Sequence, residues 1–120
     1  MHTIKEIPLF SELTEEQLKS IYTQMIVHQY TKDSIVFYEG NESEYLYVLL
    51  EGTVKFFKTS PKGTTINIHN FEAPEMVALF PTLERIPFPA TCEFLTDGTM
   101  GLLPPDKLYG CLNNTDLHFL

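Results

Sequence analysis

Between positions 35 and 63 the chain reads IVFYEGNESEYLYVLLEGTVKFFKTSPKG. Three runs rich in β-branched and aromatic residues stand out: Ile35-Val36-Phe37-Tyr38, Tyr45-Leu46-Tyr47-Val48-Leu49-Leu50 and Thr53-Val54-Lys55-Phe56-Phe57-Lys58. They are cut by Glu39-Gly40-Asn41-Glu42, Glu51-Gly52 and Ser60-Pro61-Lys62-Gly63. Such side chains suit a pleated surface, and glycine supplies the positive φ that tight turns need. Each run therefore reads as a strand. Thr64-Thr65-Ile66-Asn67-Ile68-His69, Ala90-Thr91-Cys92-Glu93-Phe94 and Thr99-Met100-Gly101-Leu102-Leu103 continue the pattern, the last two joined through Thr96-Asp97-Gly98. Strands this closely spaced predict a mainly β fold, an antiparallel double-stranded β-helix or jelly-roll barrel.

Upstream the period changes. Thr14-Glu15-Glu16-Gln17 has capping-box spacing, so a helix should start there within an organised segment over 7–27. Leu18, Ile21, Tyr22 and Met25 recur at i, i+3, i+4 and i+7, an apolar stripe for docking on a core, while Lys19, Ser20 and Gln24 face water. Downstream of His69, which ends its strand in this reading, the pattern loosens over 71–80. A loop over 81–89 follows with three of the eight prolines, and irregular chain held by proline is a candidate binding loop. Pro104-Pro105-Asp106 opens a short helix, and Asn113-Asn114-Thr115-Asp116 caps another that begins with Leu117-His118-Phe119-Leu120. The organisation expected is one domain: a helical segment at 1–29, a β-roll at 30–103 and helices at 104–120, so that short helices flank the barrel at both ends.

A chain of 120 residues suits one hydrophobic core. Its formal net charge of -8, with Arg85 the only arginine, excludes a surface built to grip nucleic-acid phosphates. No apolar run reaches the roughly 18 residues of a membrane span, and Met1-His2-Thr3-Ile4-Lys5-Glu6 has no signal-peptide pattern, so a cytosolic, non-membrane protein is expected. Cys92 and Cys111 fit neither a disulfide framework nor zinc spacing, and read as reduced thiols. His69 is the only histidine in the barrel strands as read here, and neither a nucleophile triad signature nor a phosphate loop is present. Catalysis is not expected.

The order of elements resembles the sensor domain of the CRP/FNR family of transcription regulators, a cyclic-nucleotide-binding-like fold. The resemblance is carried by Ile35-Val36-Phe37-Tyr38-Glu39-Gly40, by Tyr45 through Lys55, and by Gly63, which match the family's β-roll glycine pattern. Pro8-Leu9-Phe10-Ser11-Glu12-Leu13-Thr14 with Gln17-Leu18 looks like its opening helix. The resemblance implies a small-molecule effector, a homodimer in the full-length regulator, and DNA reading by a helix-turn-helix beyond residue 120. The fragment itself is expected to be monomeric or weakly associated, because 117–120 is at most the first turn of the dimer helix. The alternatives are a genuine cyclic-nucleotide-binding module and a free-standing protein-interaction or channel-regulatory domain.

Fold alone does not fix the ligand. Relatives that bind cyclic nucleotides use a Gly-Glu pair for the ribose and an Arg-Ser-Ala run for the cyclic phosphate. Here the first falls on Glu75-Met76 or Val77-Ala78, with Leu79 following, and the second on Phe88-Pro89-Ala90. The alanine is kept, and the guanidinium and hydroxyl are not. Arg85, three residues upstream of Phe88, is the one alternative phosphate partner. The substituted loop Ile86-Pro87-Phe88-Pro89-Ala90-Thr91 looks like the branch associated with anaerobic or nitric-oxide sensing, in which an apolar cavity replaces the nucleotide site and haem is a possible cofactor. Its axial-ligand candidates are His69 and His118 first, then His28, Met76, Met100, Cys92 and Cys111. An iron-sulfur route is excluded, since residues 1–30 contain no cysteine.

Overall fold

Both halves of the capping box form: the Thr14 hydroxyl accepts the Gln17 N–H at 3.1 Å, and Gln17 Oε1 accepts the Thr14 N–H at 2.9 Å. In the computed structural model, which describes residues 4–111, that cap starts α1 (Glu15–Gln24). Leu18 and Ile21 are buried, Met25 is buried just past the helix, and Tyr22 is half-buried. Thr14→Ala is expected to cost about 1 kcal/mol, because it strands first-turn amides. A urea midpoint that does not move would show the cap to be idle.

Two single-turn 3₁₀ helices, Ile4–Glu6 and Pro8–Phe10, precede α1 and bury Ile4 and Phe10. Eight strands follow: β1 (Ile26–Tyr30), β2 (Ile35–Phe37), β3 (Leu46–Glu51), β4 (Thr53–Thr59), β5 (Thr65–Glu72), β6 (Glu75–Val77), β7 (Thr91–Phe94) and β8 (Gly98–Leu103). Between β6 and β7 lies α2 (Leu79–Glu84), and α3 (Pro105–Cys111) ends the described chain. The strands pair antiparallel into two sheets, ordered β1-β8-β3-β6 and β2-β7-β4-β5. That order is the jelly roll expected from the sequence. Gly40 and Gly52 sit at φ 89° and 94°, as the turn reading requires.

Alternation along β3 builds two cores at once. Leu46, Val48 and Leu50 join Phe10, Leu18, Ile21, Leu103 and Leu108 on the helix side of the first sheet. Tyr47 and Leu49 point the other way, joining Phe37, Val54, Phe56, Phe94 and Met100 between the sheets. β3 is thus covered on both faces, which is why it reads as an unbroken apolar run.

The sequence reading differs from the fold at several elements. Residues 26–30 form a strand paired with β8, whereas the sequence places the helical segment at 1–29 and starts the β-roll at 30. Residues 75–77 pair with β3 as β6. Residues 79–84 are helical despite Pro81, because proline in a first turn removes an amide that has no partner there. Cys111 is the last residue of α3; His118 and the helix expected at 117–120 lie outside the described residues.

Candidate ligand site

The candidate residues of the sequence reading cluster on the connection from β6 through α2 to β7, and the fold divides them between three surroundings. Val77, Phe88 and Ala90 enter the core between the sheets, and Ala78 packs against it. Met76 belongs to the helix-side core, against which Leu79 packs. Arg85 and Pro89 are exposed. Glu75 is half-buried on β6, where its Oε1 accepts the Met76 N–H at 3.1 Å.

The connection is held locally by few interactions. The Thr82 hydroxyl donates to Tyr45 O at 2.8 Å, tying α2 to the start of β3. Ala78 and Arg85 bracket α2 in the left-handed region at φ 56° and 57°, where a Cβ is strained. Beyond Arg85 the Phe88 N–H donates to Asn41 O at 3.0 Å, and Phe88 O accepts the Gly40 N–H at 2.8 Å. This pair of bonds turns the Phe88 side chain inward.

Phe88 is 2 % exposed, and its ring stacks on Phe37 at 3.7 Å between centroids and 13° between planes. Tyr47 meets Phe88 edge-on at 5.8 Å, Phe56 meets Phe37 edge-on at 5.6 Å, and Phe71 meets Phe56 at 4.8 Å. The edge-on contacts are of the kind the ring quadrupoles favour, whereas Phe88 and Phe37 lie nearly face to face. At the position that the resemblance gives to a phosphate-binding arginine, the interior holds stacked rings. Sequence reasoning singled out Phe88 but assigned no role to Phe37, Tyr47, Phe56 or Phe71. Inward alternation was their only signal, and it does not distinguish a binding wall from ordinary core.

Arg85 is directed elsewhere. It lines a cleft of about 770 Å³ with Glu42, Glu44, Asp106, Ser43 and Thr82. Its guanidinium makes no ion pair among the described residues. Carboxylates on that cleft oppose rather than attract a phosphate.

The haem candidates are scattered. His69 does not end its strand: it lies inside β5, exposed, and reaches the aromatic cluster through an edge-on contact with Phe71 at 4.6 Å. His28 is exposed on the edge strand β1. Met100 and Cys92 are fully buried in the core between the sheets, and Met76 is on the far side of the first sheet. The described donors do not converge on one apolar pocket, so they do not fit a haem, and no three His, Cys, Asp or Glu are grouped to hold a metal among the described residues.

Burial dominates the electrostatics of the interior. It pushes the Tyr47 hydroxyl up to about 12, with smaller contributions from Tyr30, Tyr45, Cys92 and Glu44. It pushes the Cys92 thiol far above its ordinary value. Because the thiolate is the nucleophile, Cys92 is expected to resist iodoacetamide at pH 8 in the folded protein and to react in urea. Equal rates of labelling of its tryptic peptide in both conditions would contradict this burial.

A model of the cyclic nucleotide-binding domain family matches residues 27–115. Among solved structures, the N-terminal domain of a transcriptional regulator from Streptomyces coelicolor A3(2) is 26 % identical with a TM-score of 0.85, over 98 % of this chain and 83 % of that one. The sensor domain of the transcriptional regulator DNR from Pseudomonas aeruginosa is 19 % identical with a TM-score of 0.84, over 98 % and 79 %. The regulatory domain of Toxoplasma gondii PKA, solved with cAMP, is 17 % identical with a TM-score of 0.82, over 97 % and 44 %. The chain spans half the length of some matched proteins, 50 % of a regulatory protein from Silicibacter pomeroyi DSS-3 for example. No curated protein sequence matches it. Among the described residues no helix is long and apolar enough to cross a membrane.

Proposed function

The chain belongs to the cyclic nucleotide-binding domain family, and we propose that it is an effector-sensing regulatory domain of a transcription regulator whose effector is not a cyclic nucleotide. One observation carries the reading. Phe88, at the position that the resemblance gives to the phosphate-binding arginine, is buried and stacked on Phe37 at 3.7 Å. A buried cyclic phosphate needs a partner for its charge, and the residues of this interior supply none. The flanking Pro89 also lacks the amide proton and hydroxyl that a serine would offer.

The regulatory role is supported by the match to the family and by the Streptomyces transcriptional regulator domain, the most similar of the three described. An effector that binds one arrangement of the domain more tightly shifts the population toward it, and a dimeric regulator would pass that shift to a DNA-reading part outside this domain. No catalytic step is proposed. The buried Cys92 thiol is held protonated and has no adjacent base among the residues of its core.

Calorimetric titration of the protein with cyclic AMP and cyclic GMP tests the reading. Each lost charge-assisted hydrogen bond is worth about 1.5 to 3 kcal/mol, so binding is expected to fall from micromolar toward millimolar and to give no measurable heat at micromolar protein. The double change Phe88→Arg with Pro89→Ser should raise affinity for both nucleotides. Micromolar binding by the unchanged protein would overturn the proposal and direct attention to Arg85.

A further inference from the structure

We propose that the Phe88 ring is a built-in occupant of the effector position, and that the effector is an uncharged flat ring compound that replaces it against Phe37. The inference rests on the reading above in taking the interior between the sheets as the ligand site. It adds the chemical class of the ligand and the element that must move to admit it.

The segment from Arg85 to Ala90 is built to leave. Pro87 and Pro89 flank Phe88, and neither carries an amide proton to enter a strand ladder. What ties the segment to the neighbouring turn is the Phe88 pair of bonds with Asn41 and Gly40, together with the Ser43 hydroxyl donating to Ile86 O. Gly40 and Asn41 are exposed, so water can replace these bonds as they open. At its root Arg85 is held left-handed at φ 57°, and Ala78 at the other end of α2 at 56°, strained backbone of the kind that clusters at ligand clamps and switch segments. Ile86 and Phe80 on the same connection are already 41 % and 65 % exposed. Phe88 is thus the one large side chain that pins residues 85–90 to the interior.

The wall behind it dictates what can take its place. With the Phe88 ring withdrawn, the slot is bounded by the face of Phe37 and by Tyr47, with Phe56 packed against Phe37. A flat ring recovers the stacking that Phe88 gives up, and a bulky aliphatic group does not. A charged ligand finds no counter-charge in this core.

Indole is the probe. Protein labelled with 4-fluorophenylalanine reports each phenylalanine by ¹⁹F resonance, with position 88 assigned through Phe88→Leu. Indole titrated into the unchanged protein should move the position 88 resonance from a buried to a solvent-exposed shift while perturbing the Phe37 resonance by its ring current. Phe88→Ala should bind indole about tenfold more tightly, since nothing has to be displaced. If Phe88→Ala does not fold, the ¹⁹F titration of the unchanged protein decides alone. Absence of indole binding up to millimolar concentration, or saturation with the position 88 resonance left at its buried shift, overturns the proposal. Either result leaves the exclusion of cyclic nucleotides standing, whereas micromolar cyclic AMP binding removes that exclusion first.

Discussion

Phe94→Ala is expected to lower the free energy of unfolding by about 3 to 5 kcal/mol, the range for emptying a fully buried aromatic site. Phe94 is 0 % exposed between the two sheets, and Tyr30 stacks on it at 5.1 Å. Whether the cavity closes decides where in the range the loss falls, and the backbone here is pinned. Phe94 N–H donates to Ser34 O at 2.9 Å, while Phe94 O accepts the Asp33 N–H at 2.8 Å. Neighbouring strands therefore cannot collapse onto the vacancy, and the upper half of the range is expected. Each kcal/mol is worth about 4 °C or more in a domain of this size, so the melting temperature should fall by more than about 12 °C. Phe80→Ala is the control: at 65 % exposure it should change stability by under about 0.5 kcal/mol. Similar small losses for both would mean that the sheets are not packed face to face as described.

What was legible in the sequence is what depends on local rules. Strand runs separated by Gly40, Gly52 and Gly63 identified the middle of the jelly roll, because positive φ at a turn is a property of one residue. The Thr14 capping box was legible for the same reason. β1 was not, because Ile26 still falls on the apolar stripe of α1, and no glycine or proline separates the two periods. Its pairing with β8 is made some seventy residues away in sequence. β6 and α2 were hidden by the prolines around them, whose effect depends on which turn of a helix they occupy. His69 was misplaced because β5 continues to Glu72 by pairing with β4, with almost no burial along it to mark its length.

The site followed the same division. The placing of Phe88 and Pro89 where the resemblance sets an arginine and a serine could be read by position. The stack of Phe88 on Phe37 could not, since it joins residues far apart in the chain and on different elements. Nor could the outward direction of Arg85, which follows from its left-handed backbone at the end of α2. The residues proposed to exclude a phosphate were legible, while those proposed to line the ligand position read only as core.

Glycine substitutions separate these two kinds of information most sharply, and Gly98→Val is expected to be the worst of them. At Gly40 a Cβ meets open space, so Gly40→Val carries only the strain of φ 89°, about 1 to 2 kcal/mol. At Gly52 the φ of 94° is compounded by the Asp97 carbonyl oxygen, 2.7 Å from an added Cβ. Gly98 closes the Thr96-Asp97-Gly98 connection and opens β8, and the turn signal does not reveal that an added Cβ would collide with Glu51 O and Phe94 Cε1. One neighbour is backbone in the adjacent strand, and the other is the ring whose removal is argued above to be costly. Neither can yield, so overpacking should exceed the usual 1 to 3 kcal/mol. Gly101 looks as crowded, since an added Cβ would meet Met25 Sδ, but a flexible thioether can shift, and Gly101→Ala should cost less than Gly98→Ala. Urea unfolding of the set should therefore rank the valine variants as Gly98, then Gly52, then Gly40, with the Gly98 protein unfolded or nearly so at 37 °C. A Gly98→Val protein as stable as Gly40→Val would show that β3 and β8 do not approach as closely as this register requires.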